Sequence, residues 1–262
     1  MKSNLLTIIF LLLCVSSIHA NVVIINGLTH SYSGVSGQIF YGEVLLANTS
    51  SEEQRITFSL SEALYSCESG RVFSEGIAHQ NSSTAWFKSS VMDKTLAAKE
   101  RYVFKYSISV PNDDALKGSF WTTLMINVEK PIREEVVNDI GLDTKIRYAI
   151  RLLTDVNFSD EVNIDFKDIS LKSKGNGAEK QLDINIYNEN IFIENVKLAL
   201  ELYDANGNLV LEVPTKRLKV FPNVCRVYSI DLEGLPIGEY QCVIVADSRD
   251  EFLGTNFSMI IE

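Results

Sequence analysis

The chain has 262 residues, 24 basic and 34 acidic, with a formal net charge of −10. An acidic surplus of that size repels phosphate backbones and anionic lipid, so nucleic acid is excluded as a natural partner. A hydrophobic content of 46% excludes intrinsic disorder.

The first twenty residues read as a leader rather than as fold. Lys2 supplies a positive start, Leu5 to Val15 is an apolar run too short to span a bilayer, and Ser16-Ser17-Ile18-His19-Ala20 offers a small residue at a cleavage site. A lipoprotein signal built on Cys14 is the second reading. No later run approaches the ~18 apolar residues of a membrane helix, so the mature chain is expected not to span a membrane. Without the leader, 23 basic residues face 34 acidic ones, a net of −11.

The remaining 242 residues alternate short apolar-patterned segments with turn residues. Asn21 to Gly27 is a short strand. Gln38 to Ala47 is a second, and after the polar turn Asn48 to Glu53 the segment Arg55 to Leu60 returns with Ile56, Phe58 and Leu60 alternating. Tyr65 to Ser83 is polar and reads as loop. Lys99 to Val128 carries the strongest signal. Tyr102, Phe104, Tyr106, Ile108 and Val110 share one parity, Pro111 ends that ladder, and Gly118 opens a strand in which Phe120, Thr122, Leu124, Ile126 and Val128 alternate with polar and large residues. Lys145 to Thr154 fits a helical stripe as well as a strand. In a chain otherwise all β, strand is the reading, and its outer face then carries Lys145, Arg147 and Arg151.

Asp155 to Glu161 is a polar linker. Beyond it, Val162 to Leu171, Gln181 to Tyr187, Val196 to Tyr203, Leu209 to Val213, Cys225 to Leu232, Tyr240 to Asp247 and Asn256 to Ile261 make seven short strands. That number with that spacing implies a β-sandwich. Tyr240, two residues before an inward strand position and just after a glycine turn, matches the tyrosine corner of immunoglobulin-like domains, whose hydroxyl bonds nearby backbone. The expected architecture is all-β: a signal peptide over 1–20 and two tandem immunoglobulin-like β-sandwich domains over 21–156 and 157–262.

Candidate chemistry is sparse. Asp204, Asn206 and Asn208 imitate the start of a calcium loop, but Gly207 falls at the fourth position and Thr215 stands where a bidentate Glu is needed, so the segment reads as a tight turn. His30 and His79 lack ligand spacing and read as surface histidines. No nucleophile elbow occurs. No catalytic residue, metal ligand or cofactor is expected, and the protein reads as a non-enzyme. Trp86, Phe87 and Trp121 read as core anchors, with sugar stacking as the alternative. Of the mature cysteines, Cys225 and Cys242 have opposite strand parity, so three free thiols are expected.

Several segments in the first half together resemble the periplasmic pilus chaperones of the PapD-like type: the strand Glu43 to Asn48 with Thr49 (EVLLANT), the turn Leu96 to Arg101 (LAAKER), Val110-Pro111-Asn112-Asp113, the strand Ser119 to Asn127 and the basic strand Lys145 to Arg151. The resemblance covers about residues 35 to 153. It implies an exported chaperone-like or assembly-accessory protein of the periplasm or cell surface that binds another envelope or secreted protein by β-strand addition. It also implies a basic pair in a cleft between domains that anchors a client's C-terminal carboxylate, with Lys145, Arg147 or Arg151 in that role. The family's arginine on the N-terminal strand has no counterpart, since Asn21 to Tyr32 holds no Arg or Lys. The alternative is a structural or adhesive surface protein, with carbohydrate binding as one form of it.

Overall fold

The computed structural model describes residues 22–261 apart from 69, 130–145 and 175–178. Lys145 and the leader lie outside the described residues. The chain forms two tandem β-sandwiches. The first is built from β1 (Val22–Ile24), β2 (Thr29–Gly34), β3 (Ile39–Asn48), β4 (Gln54–Ser66), β5 (Gly70–Ser74), β6 (Phe87–Lys88), β7 (Asp93–Leu96), β8 (Arg101–Ser109), β9 (Gly118–Glu129) and β10 (Ile146–Val156). One sheet has the order β1-β3-β8-β6. The other runs β2-β10-β9-β4-β5, with β7 also on β4.

The predicted alternation is the burial pattern. On β8, Phe104, Tyr106 and Ile108 are buried; opposite them lie Leu124 and Ile126 of β9 and Ile150 and Leu152 of β10, closing one core. Phe58 stacks on Phe104 at 4.0 Å between centroids, at the heart of that core. Lys145 to Thr154 is a strand where described, paired with β9 along its whole length. Two elements depart from expectation. The polar stretch after Tyr65 contains β5, which returns along an extended β4. Thr29–Gly34 pairs with Arg151–Val156 in parallel, held by main-chain bonds such as Arg151 N–H to Leu28 O at 3.0 Å.

The second sandwich comprises β11 (Ile164–Lys174), β12 (Glu179–Asn188), β13 (Glu194–Tyr203), β14 (Leu209–Pro214), β15 (Leu218–Val220), β16 (Cys225–Asp231), β17 (Gly238–Ser248) and β18 (Glu251–Ile261). Its sheets have the orders β11-β12-β16 and β14-β13-β17-β18, with β15 also on β13. Val196, Leu198, Leu200 and Leu202 face Ile184, Ile186, Cys242 and Ile244 in its core. The Tyr240 hydroxyl donates to Pro236 O at 2.8 Å, the bond expected of a tyrosine corner. In the loop Asp204 to Asn208 the Asp204 carboxylate accepts from the Asn206 and Asn208 amides, an internally satisfied turn.

A third apolar cluster joins the sandwiches. Ala63, Trp121 and Leu153 from the first pack on Ile193, Phe221 and Val224 from the second. This explains why β9 is buried on both faces: Trp121 lies on the outer face of its sheet, and the second sandwich covers it. The Ser119 amide donates to Ile191 O at 2.9 Å, and the Ile193 amide donates to Ser119 Oγ at 2.7 Å. Gly118 (φ +125°) is required there, because a Cβ would stand 3.0 Å from the Ile191 carbonyl oxygen in backbone space other residues rarely adopt.

The expectation of three free thiols is overturned. Cys67, in the turn after β4, forms a disulfide with Cys225, the first residue of β16, across 158 residues and a Cα–Cα distance of 4.6 Å. The parity argument against a Cys225–Cys242 bridge holds, and Cys242 is free and buried. What it omitted was pairing between the two halves, which the docking of the sandwiches creates.

Candidate functional site: a cationic cleft between the sandwiches

Beside the apolar joint lies a cleft of about 510 Å³. The first sandwich contributes Tyr65 at the end of β4, Arg71 on β5 and Arg151 on β10. The second contributes Asn195, Arg217 and Lys219 around β13 and β15, with Arg226 on β16. Each position follows from strand register. Arg151 lies opposite Thr123 of β9, one step from the Leu153–Trp121 pair buried in the joint. Outward parity therefore sends its side chain to the cleft rather than to either core.

The floor is aromatic. Tyr65 stacks on Phe221 at 3.7 Å, and Trp121 meets both rings edge-on. The Trp121 indole donates to Ala63 O at 2.8 Å, so this ring is fixed and fully satisfied. The Tyr65 hydroxyl is buried without a hydrogen-bond partner among the described residues. Burial raises its pKa, while the Arg151 and Arg71 charges beside it act the other way. A buried hydroxyl flanked by two guanidinium groups is a ready donor to an anion.

The cations differ in how they are held. Arg217 is committed, bonding Asp247 Oδ2 at 2.5 Å and Asn195 O at 2.8 Å. Arg151 is only steadied, its Nε donating to Thr29 Oγ1 at 3.2 Å. Lys219 Nζ donates to Asn195 Oδ1 at 3.0 Å. Burial pushes the Lys219 pKa down, and repulsion from Arg151 adds to it, opposed by Asp155. Among the described residues, none of Arg71, Arg151 and Lys219 has a carboxylate partner. Such a cationic cluster, partly out of water and offset at Lys219 by Asp155, favours an anion with two acceptor oxygens.

The same strand offers an edge. β2 covers β10 only from Arg151 onward, so Ile146 to Ile150 have no neighbour on that side among the described residues. Because Arg151 N–H points to β2, the odd-numbered residues face that side, and Arg147 and Ala149 present N–H and C=O groups there. Arg147 is exposed, and its Nε donates to Asn127 Oδ1 at 2.6 Å. Of the predicted basic stripe, Arg151 thus enters the cleft and Arg147 lies outside it, beside a shallower groove with Phe73 and Met125. Lys219, Arg217, Arg71 and Tyr65 were not foreseen. The run Thr215-Lys216-Arg217-Leu218-Lys219-Val220 carried a signal, a basic cluster with strand alternation in an acidic chain.

The histidines are half-buried rather than freely exposed. His30 Nδ1 lies 2.7 Å from the Tyr106 hydroxyl. His79 stacks on Trp121 and sets Nε2 3.2 Å from Glu62 Oε2. Trp86 and Trp121 are both buried, so neither indole is free to stack on a sugar. No described helix is long and apolar enough to cross a membrane.

No family model matches the chain, and no curated protein matches it. Solved structures do. A class 5 fimbriae chaperone, CfaA, is 13% identical with a TM-score of 0.50, over 90% of this chain and 98% of that one. The YadV chaperone is 15% identical at a TM-score of 0.47, over 92% and 100%. A chain from the Salmonella enterica SafA pilin–SafB chaperone complex is 12% identical at 0.44, over 94% and 99%. The fold of this chain resembles that of the PapD-like fimbrial chaperones over both sandwiches.

Proposed function

We propose that the protein is an exported, non-catalytic assembly chaperone of the cell envelope that holds a client chain by its C-terminal segment. The client's last strand would add to the open edge of β10. Its terminal carboxylate would sit in the cleft between Arg151 and Lys219, with the Tyr65 hydroxyl as a further donor. The observation that carries this reading is one strand serving both purposes: among the described residues, β10 has an unpaired edge at Ile146–Ile150 and, at its next residue, a cleft cation without an acidic partner. Main-chain bonds along the edge supply affinity independent of client sequence, and the carboxylate sets register.

The test is binding of a ten-residue peptide of alternating apolar and polar residues, with either a free or an amidated C-terminus. A charge-assisted bond is worth about 1.5–3 kcal/mol. The free acid should therefore bind roughly 10- to 100-fold tighter than the amide. Arg151→Glu should abolish that preference and Arg147→Glu should keep it. Equal affinity for acid and amide in the wild type refutes the carboxylate site.

A further inference from the structure

A second feature, independent of the cleft, is the outer edge of β18. This last strand is eleven residues long, pairs with β17 from Ser248↔Glu251 to Gly238↔Ile261 without a register shift, and has no neighbour on its other side among the described residues. Long, regular, open edges invite pairing, and sheets ordinarily guard them with charge, proline, bulges or brevity.

Several other edges here carry such guards. β1 has three residues and β6 two. β14 ends in Pro214 and is offset by a bulge at Leu202/Tyr203. β11 has a bulge between Phe166 and Asp168 and carries Lys167 and Lys172. β16 is tied by the disulfide and carries Arg226. From Phe252 to Ile261, FLGTNFSMII, β18 has no charge, no proline and no bulge.

The geometry of that edge is fixed by its turn. Arg249 and Asp250 both have positive φ (54° and 63°), making a two-residue hairpin of the primed type. In such a hairpin the flanking pair, Ser248 and Glu251, exchanges both bonds. The odd-numbered residues of β18 therefore bond to β17. Phe252, Gly254, Asn256, Ser258 and Ile260 turn their N–H and C=O groups to the open side and their side chains to the outer face. Phe252 and Ile260 are 70% and 56% exposed.

This set is symmetric about Asn256. We propose that β18 pairs antiparallel with β18 of a second copy, on a two-fold axis through Asn256. Phe252 then lies opposite Ile260, Gly254 opposite Ser258, and Asn256 opposite itself, each relation occurring twice except the last. Every open N–H and C=O on these residues finds its counterpart. Both exposed apolar side chains are covered by each other, on the same face, and no residue from Phe252 to Ile260 brings a charge to the seam. Shifting the partner by two residues keeps the hydrogen bonds but leaves each Phe252 facing a polar residue. The two five-stranded sheets thereby become one of ten strands.

Sedimentation equilibrium of the full mature chain tests this, with twice the monomer mass expected. In Ser258→Pro the lost N–H is one that β17 does not use, so the fold should survive, checked by circular dichroism, while the pairing is blocked. Should that variant fail to fold, Phe252→Lys/Ile260→Lys serves in its place, since both positions are solvent-facing. Either variant should be monomeric. Asn256→Cys should give a covalent dimer on oxidation, because that residue meets its own copy at the axis. A wild type that stays monomeric at ~100 µM, well above a micromolar dissociation constant, overturns the proposal. So does a blocked, folded variant that remains dimeric.

Discussion

Removing the Cys67–Cys225 bridge asks how much of the stability, and how much of the cleft, depends on a covalent tie between the sandwiches. The perturbation is Cys67→Ala together with Cys225→Ala, which leaves neither bridge partner as an unpaired thiol. The bridge closes 158 residues. In the chain-entropy description a loop of that size is worth about 5 kcal/mol against a fully unfolded chain. For a protein of this length 1 kcal/mol moves the midpoint by roughly 2–4 °C, so the ceiling is a fall of roughly 10–20 °C. The actual fall should be smaller. Each sandwich has its own core. The short connection after Val156 still tethers them, and the cluster around Trp121 and Phe221 still favours docking. Calorimetry of the oxidised wild type and the double variant gives the number. X-ray scattering shows whether the two bodies separate, and the peptide assay shows whether Arg151 and Lys219 still face one site. Alkylation under denaturing, non-reducing conditions should block one cysteine of the mature chain, Cys242, whose thiol burial pushes up to about 11. Three blocked cysteines, or a midpoint within 2 °C of the wild type's on the scale just given, would refute the reasoning.

Other expectations follow from single groups. Tyr240→Phe removes the bond to Pro236 O and should cost about 0.5–1.5 kcal/mol in urea unfolding. Arg249→Ala leaves Glu194, fully buried and 2.7 Å from that guanidinium, without its cation, and should cost about 3–5 kcal/mol; Arg249→Met with Glu194→Gln should recover much of the loss. Burial lowers the pKa of both His30 and His79, so the unfolded chain binds more protons than the folded one near pH 6.5. Stability should then fall as pH drops from 7.5 to 5.5, and His30→Gln with His79→Gln should flatten that slope. Asp155 and Glu194, whose pKa values burial raises, act with the opposite sign as the medium approaches the carboxylate range. Residues 21–156 and 160–262 expressed apart should each fold while exposing the Trp121 and Phe221 faces; two insoluble fragments beside a soluble full chain would count against separate domains.

The strand pattern was legible where one face of a strand meets a core and the other meets water. That holds for β8, β13 and β17, whose alternation predicts their burial. It fails for β2, Thr-His-Ser-Tyr-Ser-Gly, which belongs to its sheet through main-chain bonds to β10 rather than through apolar side chains. The cleft was half legible. Arg147 and Arg151 share a face of β10, but four residues of strand separate them by about 13 Å. Only Arg151 is near enough to the joint to meet cations from the other half. A stripe read along one strand cannot show that meeting, because the second wall comes from residues near 217 and 219.

The cysteines sharpen the same point. Side-chain parity is a statement about one sheet: it says which residues share a face, and so which cannot be bridged within that sheet. It correctly separated Cys225 from Cys242. It carries no information about Cys67, because the relation between Cys67 and Cys225 is set by how two sandwiches dock, and docking is decided by outward-facing residues that each sheet alone would leave to solvent. Trp121, Leu153 and Phe221 are such residues: large and apolar, on the wrong parity for their own cores, yet buried. An outward Trp on a strand whose other face is already apolar is itself the sequence signal for a second packing partner. Reading Trp121 in that way points to an interface at the β9 end of the first sandwich. An odd cysteine at each side of such an interface is then a candidate pair across it, and the cations flanking it are candidates for one cleft.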